Sequence, residues 1–379
     1  MPVLTGTGVA VLGGGALVLA GGLVGGYAAL AGLGAAAPVL VLAAVAIMLL
    51  PDRLEARRTV TNDRVTVGSG ITCAISVRNA GRLPMGWTDA ADRIGGEEFR
   101  AAIAPLGRGA SARAEYVVPT TRRGLLILGP LVLERRDPLG LAVRRRTVAG
   151  ASAIWVHPRA HPLRALPAGT LPDMDGELGG HAPHGTSTFA GLREYQPGDD
   201  PRLIHWRSTA RTGALLVQER VDSSEPAATV VLDTRAEVLE EVEFEEAVEV
   251  AASIVAAHVR SGLAVAGEDA REIAAMGARG PLDRLAAARL GEGLDVSAVH
   301  APARHAAPGG QLILVTGTDA GVLARFAAEA PRFSLLLIVQ LDSAATSSTV
   351  IRRGGATVIR ASTAAAAVRS IGRLDGGRA

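Results

Sequence analysis

Apolar and polar positions divide the chain into three stretches with different periods. From Met1 to Pro51 there is no Asp, Glu, Lys or Arg, and the first charge is Asp52. Two apolar runs, Thr7–Tyr27 and Ala28–Leu50, fit this space, with a join expected near Gly32–Gly34. Each approaches the roughly 20 residues that cross a hydrocarbon core. A central Arg, at about +3 kcal/mol, would cancel the insertion energy of such a run, and neither contains one. Residues 1–51 are therefore predicted to form a two-helix transmembrane hairpin in contact with the lipid bilayer. The glycines Gly13–Gly15, Gly21–Gly22 and Gly25–Gly26 would let its helices approach closely. The alternatives are a buried hairpin of a soluble protein and a cleaved signal peptide; the latter needs a basic start, and Met1–Gly8 has no basic side chain. Arg53, Arg57 and Arg58 follow the second run, which places the soluble domains in the cytoplasm by the positive-inside rule.

From residue 52 to 150 the period changes to two. Ile71, Cys73, Ile75 and Val77 alternate with Thr72, Ala74, Ser76 and Arg78, the pattern of a half-buried strand, and Asn79–Arg82 reads as a turn. Met85–Ala90, Phe99–Ala104, Ala110–Val118 and Leu125–Glu134 are further strands, each bounded by Gly or Pro. Short strands at this spacing predict an all-β, sandwich-like domain over 52–150, followed by a strand and linker over 151–190. Arg122, Arg123, Arg135, Arg136 and Arg144–Arg146 either face lipid headgroups beside the anchor or are solvated strand ends.

The third stretch, 191–379, alternates strand and helix. Ala214–Val221 and Thr229–Asp233 read as strands and Phe244–Arg260 as an amphipathic helix. Leu263–Ala266, Gln311–Thr316, Ser334–Leu341 and Ala356–Arg360 are strands, interleaved with helices at Pro281–Leu290, Ala320–Ala330 and Ala364–Ile371. This is the signature of a doubly wound α/β domain. Glu237, Glu240, Glu241, Glu243, Glu245, Glu246 and Glu249 front its first helix, either as a start favoured by the helix dipole or as a docking face.

Composition removes whole classes of chemistry. Lys is absent, so a P-loop lysine, a Schiff base and Ser–Lys catalysis are excluded. The single cysteine, Cys73, excludes a disulfide framework, a Cys-rich zinc site and CxxC redox chemistry, and its strand position marks a buried structural thiol. A net charge of +2, without a basic stripe interleaved with aromatics, argues against a nucleic-acid partner. No cofactor is implied.

The densest polar run is Phe189–Gly213. Pro197–Gly198 makes a turn, Asp200 is a candidate N-cap ahead of Pro201, and a helix to about Arg211 would stop at Gly213. Leu203, Trp206 and Ala210 share the face expected to be buried. The pattern Arg193-Glu-Tyr-x-Pro-Gly-Asp-Asp200, Arg202-x-Ile-x-Trp206, Ala210-Arg-Thr-Gly213 and Glu219 closely resembles the core motif of the bacterial domain-of-unknown-function family 58. The layout, including Arg123-Gly and Asp137-Pro-Leu-Gly-Leu141, matches that family along nearly the whole chain. The resemblance implies a von Willebrand A-like C-terminal fold and frequent genomic pairing with MoxR-type AAA+ ATPases, but no activity; the expected location, a bacterial cell membrane crossed twice, comes from the composition of residues 1–51. Arg193, Glu194, Asp199, Asp200, Arg202, His205, Arg211 and Glu219 then form either a partner-binding surface or a structural cassette tying helix to strand. In A-domains a divalent ion sits on Asp-x-Ser-x-Ser after the first strand. The matching residues here are Asp233-Thr-Arg-Ala-Glu237, which lack both serines, so Asp233 is a degenerate metal candidate.

The expected function is thus a membrane-anchored, non-enzymatic adaptor for a MoxR-type AAA+ ATPase in envelope maintenance. One alternative is a metal-dependent phosphohydrolase using Asp199, Asp200, His205 and Asp233, although the chain lacks HExxH-type spacing, a Gly-rich phosphate loop and a nucleophile elbow. The other is a purely structural envelope protein.

Overall fold

The structure, a computed structural model, describes residues 2–50, 53–164, 166, 187–195, 204–222, 228–258 and 261–374, with backbone alone at 187–194, 212 and 218–222. It divides into two compact units, residues 1–159 with 275–287, and 160–274 with 288–379.

The first unit opens with a short strand, β1 (Pro2–Leu4), ahead of helices α1 (Gly6–Gly25) and α2 (Ala28–Leu49). Both helices are long and apolar enough to cross a membrane. They join at Gly26, which closes α1 in the left-handed region (φ 72°), and not at Gly32–Gly34 as the sequence suggested. Those residues lie inside α2, where Gly34 serves a different purpose: a Cβ on it would strike the backbone of Leu19. Gly22 likewise meets the backbone of Ala31, so the two helices touch main chain to main chain as the glycine pairs led us to expect. Leu17, Leu23, Val24, Leu33 and Leu42 are turned outward and exposed.

Two sheets follow, built from β2 (Leu54–Val60), β3 (Arg64–Thr66), β4 (Ile71–Asn79), β5 (Thr88–Ile94), β6 (Glu97–Ile103), β7 (Ser111–Val118), β8 (Gly124–Leu128), β9 (Leu131–Arg136), β10 (Ala142–Ala149) and β11 (Ser152–His157). One has the order β2-β4-β7; the other runs β1-β10-β9-β5-β8-β11-β3, with β6 beside β5. Ile71, Cys73, Ile75 and Val77 from the first sheet and Ala90, Leu128, Leu133 and Ile154 from the second share one core, as a sandwich requires. Leu125–Glu134 is two strands instead of one, because the backbone turns at Gly129 (φ 102°). The strand expected at Met85–Ala90 starts later, at Thr88, and Met85 makes a lone bridge to Leu106. β2 escaped notice because an inward position carries a charge. Arg58 reaches across the core to Asp92 on the other sheet (2.8 Å), whose second oxygen accepts the Tyr116 hydroxyl at 2.5 Å. Burial, with the facing Asp92 carboxylate, pushes the Tyr116 phenol far above its usual range.

The hairpin and the sandwich share a second small core of Val41, Ala44, Met48, Leu141 and Ala142. Thr5 caps α1 by accepting from the Gly8 amide and donates to the Gly140 carbonyl at 2.5 Å. At the end of α2, Arg144 donates to the carbonyls of Met48 and Leu50 (3.1 and 3.2 Å), a cation where the helix dipole favours one.

The second unit holds a two-stranded pair, β12 (Ser187–Glu194) and β13 (Leu216–Asp222), with the short helix α3 (Trp206–Thr212) between them in sequence. Beyond it come β14 (Ala228–Leu232), α4 (Glu241–Ala257), β15 (Ser261–Val265), α5 (Ala270–Ala275), α6 (Pro281–Ala287), α7 (Val296–Arg304), β16 (Gln311–Thr316), α8 (Ala320–Glu329), β17 (Leu335–Leu341), β18 (Thr349–Arg353), β19 (Ala356–Ala361) and α9 (Ala364–Arg373). The sheet order is β15-β14-β16-β17-β19-β18, parallel except for the edge strand β18. This is the doubly wound arrangement that the alternation of strand and helix predicts, and β14 and β16 flank the point where the winding reverses.

Helix α6 belongs to the first unit, although the sequence placed it in the α/β domain. Its Asp283 is the reason. The carboxylate accepts from Arg64 Nε and Nη2 (3.1 and 2.9 Å) and the Arg279 amide (2.7 Å), and lies 2.7 Å from His157 Nε2. Burial acts to raise its pKa, but Arg64, the Arg279 amide and His157 outweigh that and pull it down to about 2. The unfolded chain, with an aspartate near 4, takes up this proton first as the pH falls. The resulting stabilisation is therefore complete above about pH 4 and lost between pH 4 and 2. The stability difference between wild type and Asp283→Asn, on the order of 2 kcal/mol at neutral pH, should shrink across that window in thermal melts of the full chain.

Candidate functional site

β14 is buried along its length and delivers Asp233 to the carboxyl edge of the sheet. In open α/β sheets that edge, at the winding reversal, is where ligands bind. Asp233 is fully buried, and its amide donates to the Val315 carbonyl of the neighbouring strand at 2.9 Å. Its carboxylate is occupied by the chain itself. Arg235 donates through Nε to both oxygens (3.1 and 3.2 Å) and through Nη2 to Oδ2 (2.8 Å). The Thr316 hydroxyl, at the end of β16, donates to the same Oδ2 at 2.7 Å.

Arg235 also donates to Asp319 Oδ2 at 3.0 Å. Asp319 is the N-cap of α8, its other oxygen accepting from the Gly321 and Val322 amides at 2.8 and 3.2 Å. Burial works against the charge on Arg235, but Asp233 and Asp319 outweigh it and raise the pKa. For Asp319, burial is likewise outweighed, by the Val322 amide, Arg235 and the Gly321 amide, and the carboxyl falls below its usual range. The guanidinium thus sits where a divalent ion would have to touch Asp233 and Thr316. Among the described residues no group of three or more His, Cys, Asp or Glu side chains is arranged to hold a metal ion. That one side chain spans both aspartates was not legible in the sequence, because Asp319 lies 84 residues from Arg235.

The cassette residues divide differently. Arg193 and Glu194 lie on β12 and Glu219 on β13, with Gly191 opposite Glu219 and Arg193 opposite Val217. Asp199, Asp200 and Arg202 lie outside the described residues, as does Leu203. The segment that contains them leaves and returns at adjacent points of one strand end: the Tyr195 amide donates to Leu215 and the His205 amide to Leu216, at 2.9 and 2.8 Å. Helix α3 begins after His205, which is its N-cap in place of the expected Asp200, and Nδ1 accepts from the Ser208 amide at 3.3 Å. Its buried face also differs. Thr209 accepts from the Leu216 amide at 3.0 Å, so the inward stripe is His205, Ser208 and Thr209, and Trp206 is 65% exposed. Polar groups serving backbone donors have turned inward and displaced the aromatic. Arg211 is exposed in the last turn, and Gly213 closes the helix (φ 73°).

The acidic start of α4 is partly structural. Glu240 and Glu243 form a capping box, Glu243 accepts from the Ser343 amide (2.8 Å), and Glu246 accepts from the Ala364 amide at the start of α9 (2.5 Å).

A search of curated protein sequences finds no match. Solved structures that match include a CARDB domain from Pyrococcus furiosus, at 13% identity over 28% of this chain and 93% of that one, with a TM-score of 0.21. The sporulation control protein Spo0M from Bacillus subtilis matches at 13% over 29% and 50%, TM-score 0.19. A β-glucosidase from Erythrobacter marinus matches at 8% over 28% and 15%, TM-score 0.20. Scores of this size carry no argument. Residues 191–284, which include the cassette and Asp233, match the family described as "Protein of unknown function DUF58".

Proposed function

We propose that the protein is a membrane-tethered, non-catalytic interaction protein, whose α/β domain is von Willebrand A-like and serves as adaptor for a MoxR-type AAA+ ATPase in envelope maintenance. The observation that carries this reading is the Arg235–Asp233 pair. The edge of the sheet that would bind a substrate or metal is filled by the chain's own cation, which favours recognition by surface over chemistry in a crevice. The two outward-facing apolar helices support the tether. Arg53 and Arg57, together with Arg58, support a cytoplasmic position for the soluble units, since insertion reads the charges before the sandwich takes Arg58 into its core. Around α3, exposed Trp206 and Arg211 are the residue types that dominate binding energy at interfaces.

Three outcomes follow from this. Protease added outside spheroplasts leaves a C-terminal tag intact, whereas cleavage without lysis would reverse the topology. Arg235→Ala abandons a buried carboxylate and lowers stability by roughly 3–5 kcal/mol, while wild type binds Mg²⁺ no better than millimolar by calorimetry. Micromolar binding abolished by Asp233→Ala would replace the adaptor with a metal enzyme. Finally, Trp206→Ala and Arg211→Ala, being exposed, change stability by no more than about 0.5 kcal/mol, yet weaken capture of the ATPase from detergent extracts at least about tenfold. Undiminished capture by both variants would remove this surface from the interaction.

A further inference from the structure

Where the hairpin meets the sandwich, β1, β10 and β9 frame an open cleft of about 380 Å³, lined by Val3, Thr5, Val143, Glu134, Arg136 and Arg145 among others. Strand register puts the key side chains on one face. Val3 lies opposite Val143, Val143 opposite Arg136, and Arg145 opposite Glu134; residues two apart along a strand share a face. The cleft therefore has an apolar half, Val3 and Val143, and a basic half. Glu134, its side chain 5% exposed, accepts from Arg136 Nε and Nη2 (3.2 and 2.7 Å) and from Arg145 Nε (2.9 Å). One buried carboxylate thus holds two guanidinium groups side by side, with their side chains 50% and 65% exposed. Burial acts to raise the Glu134 pKa, but Arg136 and Arg145 outweigh it and keep the group ionised. Two positive charges against one negative leave the trio net positive.

Depth in the membrane follows from the chain. Val3–Thr5 immediately precede α1, whose 20 residues span about 30 Å, the thickness of a hydrocarbon core. If α1 crosses, Gly6 sits at the core's edge and the cleft opens in the headgroup layer. Arg144, on the opposite face of β10, ties the same strand to the carbonyl end of α2 and so to the same depth.

We propose that this cleft binds an anionic phospholipid from the surrounding leaflet, with the headgroup phosphate on Arg136 and Arg145 and the first acyl carbons against Val3 and Val143. Paired guanidinium groups match phosphate oxygens, and the apolar half selects a lipid over free phosphate. The inference rests on the membrane-crossing reading of the hairpin and is independent of the ATPase. Whether the chain needs detergent for extraction from membranes tests the hairpin separately.

Native mass spectrometry of the full chain in neutral detergent, with added phosphatidylglycerol or phosphatidylcholine, tests the site. Phosphatidylglycerol is expected to be retained and phosphatidylcholine lost. Arg136→Gln/Arg145→Gln should lower phosphatidylglycerol occupancy at least tenfold, and Glu134→Gln, which removes the competing carboxylate, should raise it. Because the double variant strands Glu134, the triple variant Glu134→Gln/Arg136→Gln/Arg145→Gln is measured beside it, with the same loss expected. Unchanged retention by the double and triple variants, equal retention of phosphatidylcholine, or displacement by equimolar inorganic phosphate would overturn the proposal. So would weaker binding by Glu134→Gln.

Discussion

A buried charge must be neutralised where it stands, and in the α/β unit that charge is Asp233. Left alone it would cost several kcal/mol. The chain meets this with a guanidinium two residues along and a threonine hydroxyl from the next strand. Because Arg235 also holds Asp319, and Asp319 starts α8, one side chain ties the end of β14 to the beginning of a helix that follows β16. The place where doubly wound sheets keep their ligand becomes a strut. Whatever the unit recognises then has to be met by surfaces around that edge, which is why we read it as an interaction domain.

In the first unit the governing constraint is that both ends of the hairpin are fastened to the sandwich. β1 adds to β10 before the chain enters α1, and Arg144 holds the last carbonyls of α2. Helices packed backbone to backbone through Gly22 and Gly34 cannot slide without breaking one of these ties. The sandwich is itself fixed across its two sheets by Arg58, Asp92 and Tyr116, a buried trio whose charges are satisfied from both sides. Asp283 applies the same rule a third time: a carboxylate ringed by Arg64, His157 and a backbone amide brings residues 275–287 into the unit. Apart from the β1–β10 pairing, each tie is an arginine on an aspartate or a carbonyl far off in sequence, in a chain that has no lysine. The planar fork of donors suits this work, since it serves two oxygens at once.

Much of the architecture was legible along the chain. Residues 1–51 lack charge, so two apolar helices followed from composition. Alternation at Ile71–Val77 gave a strand, and the apolar runs Leu312–Val315 and Leu335–Val339 gave buried strands of a parallel sheet, because period and burial on both faces are local properties. Two of the errors fall where a polar side chain does structural work, and one where the backbone turns. Arg58 hid β2, the turn at Gly129 divided one apolar run into two strands, and Thr209 with His205 turned α3 so that Trp206 faces out.

The sequence by itself determined the two apolar helices, the change from β to α/β periodicity, the absence of lysine, and the motif that resembles the DUF58 core. Tertiary structure alone decided which charges meet. Arg235 beside Asp233 was visible as a departure from a metal motif, but that it also reaches Asp319 depends on how β14, β16 and α8 converge. The pairing of Arg136 and Arg145 on Glu134 depends on strand register, and the membership of α6 in the first unit depends on Asp283 finding Arg64, 219 residues away. Periodicity reports which face of an element is buried; the partner it is buried against is set by the packing of all of them.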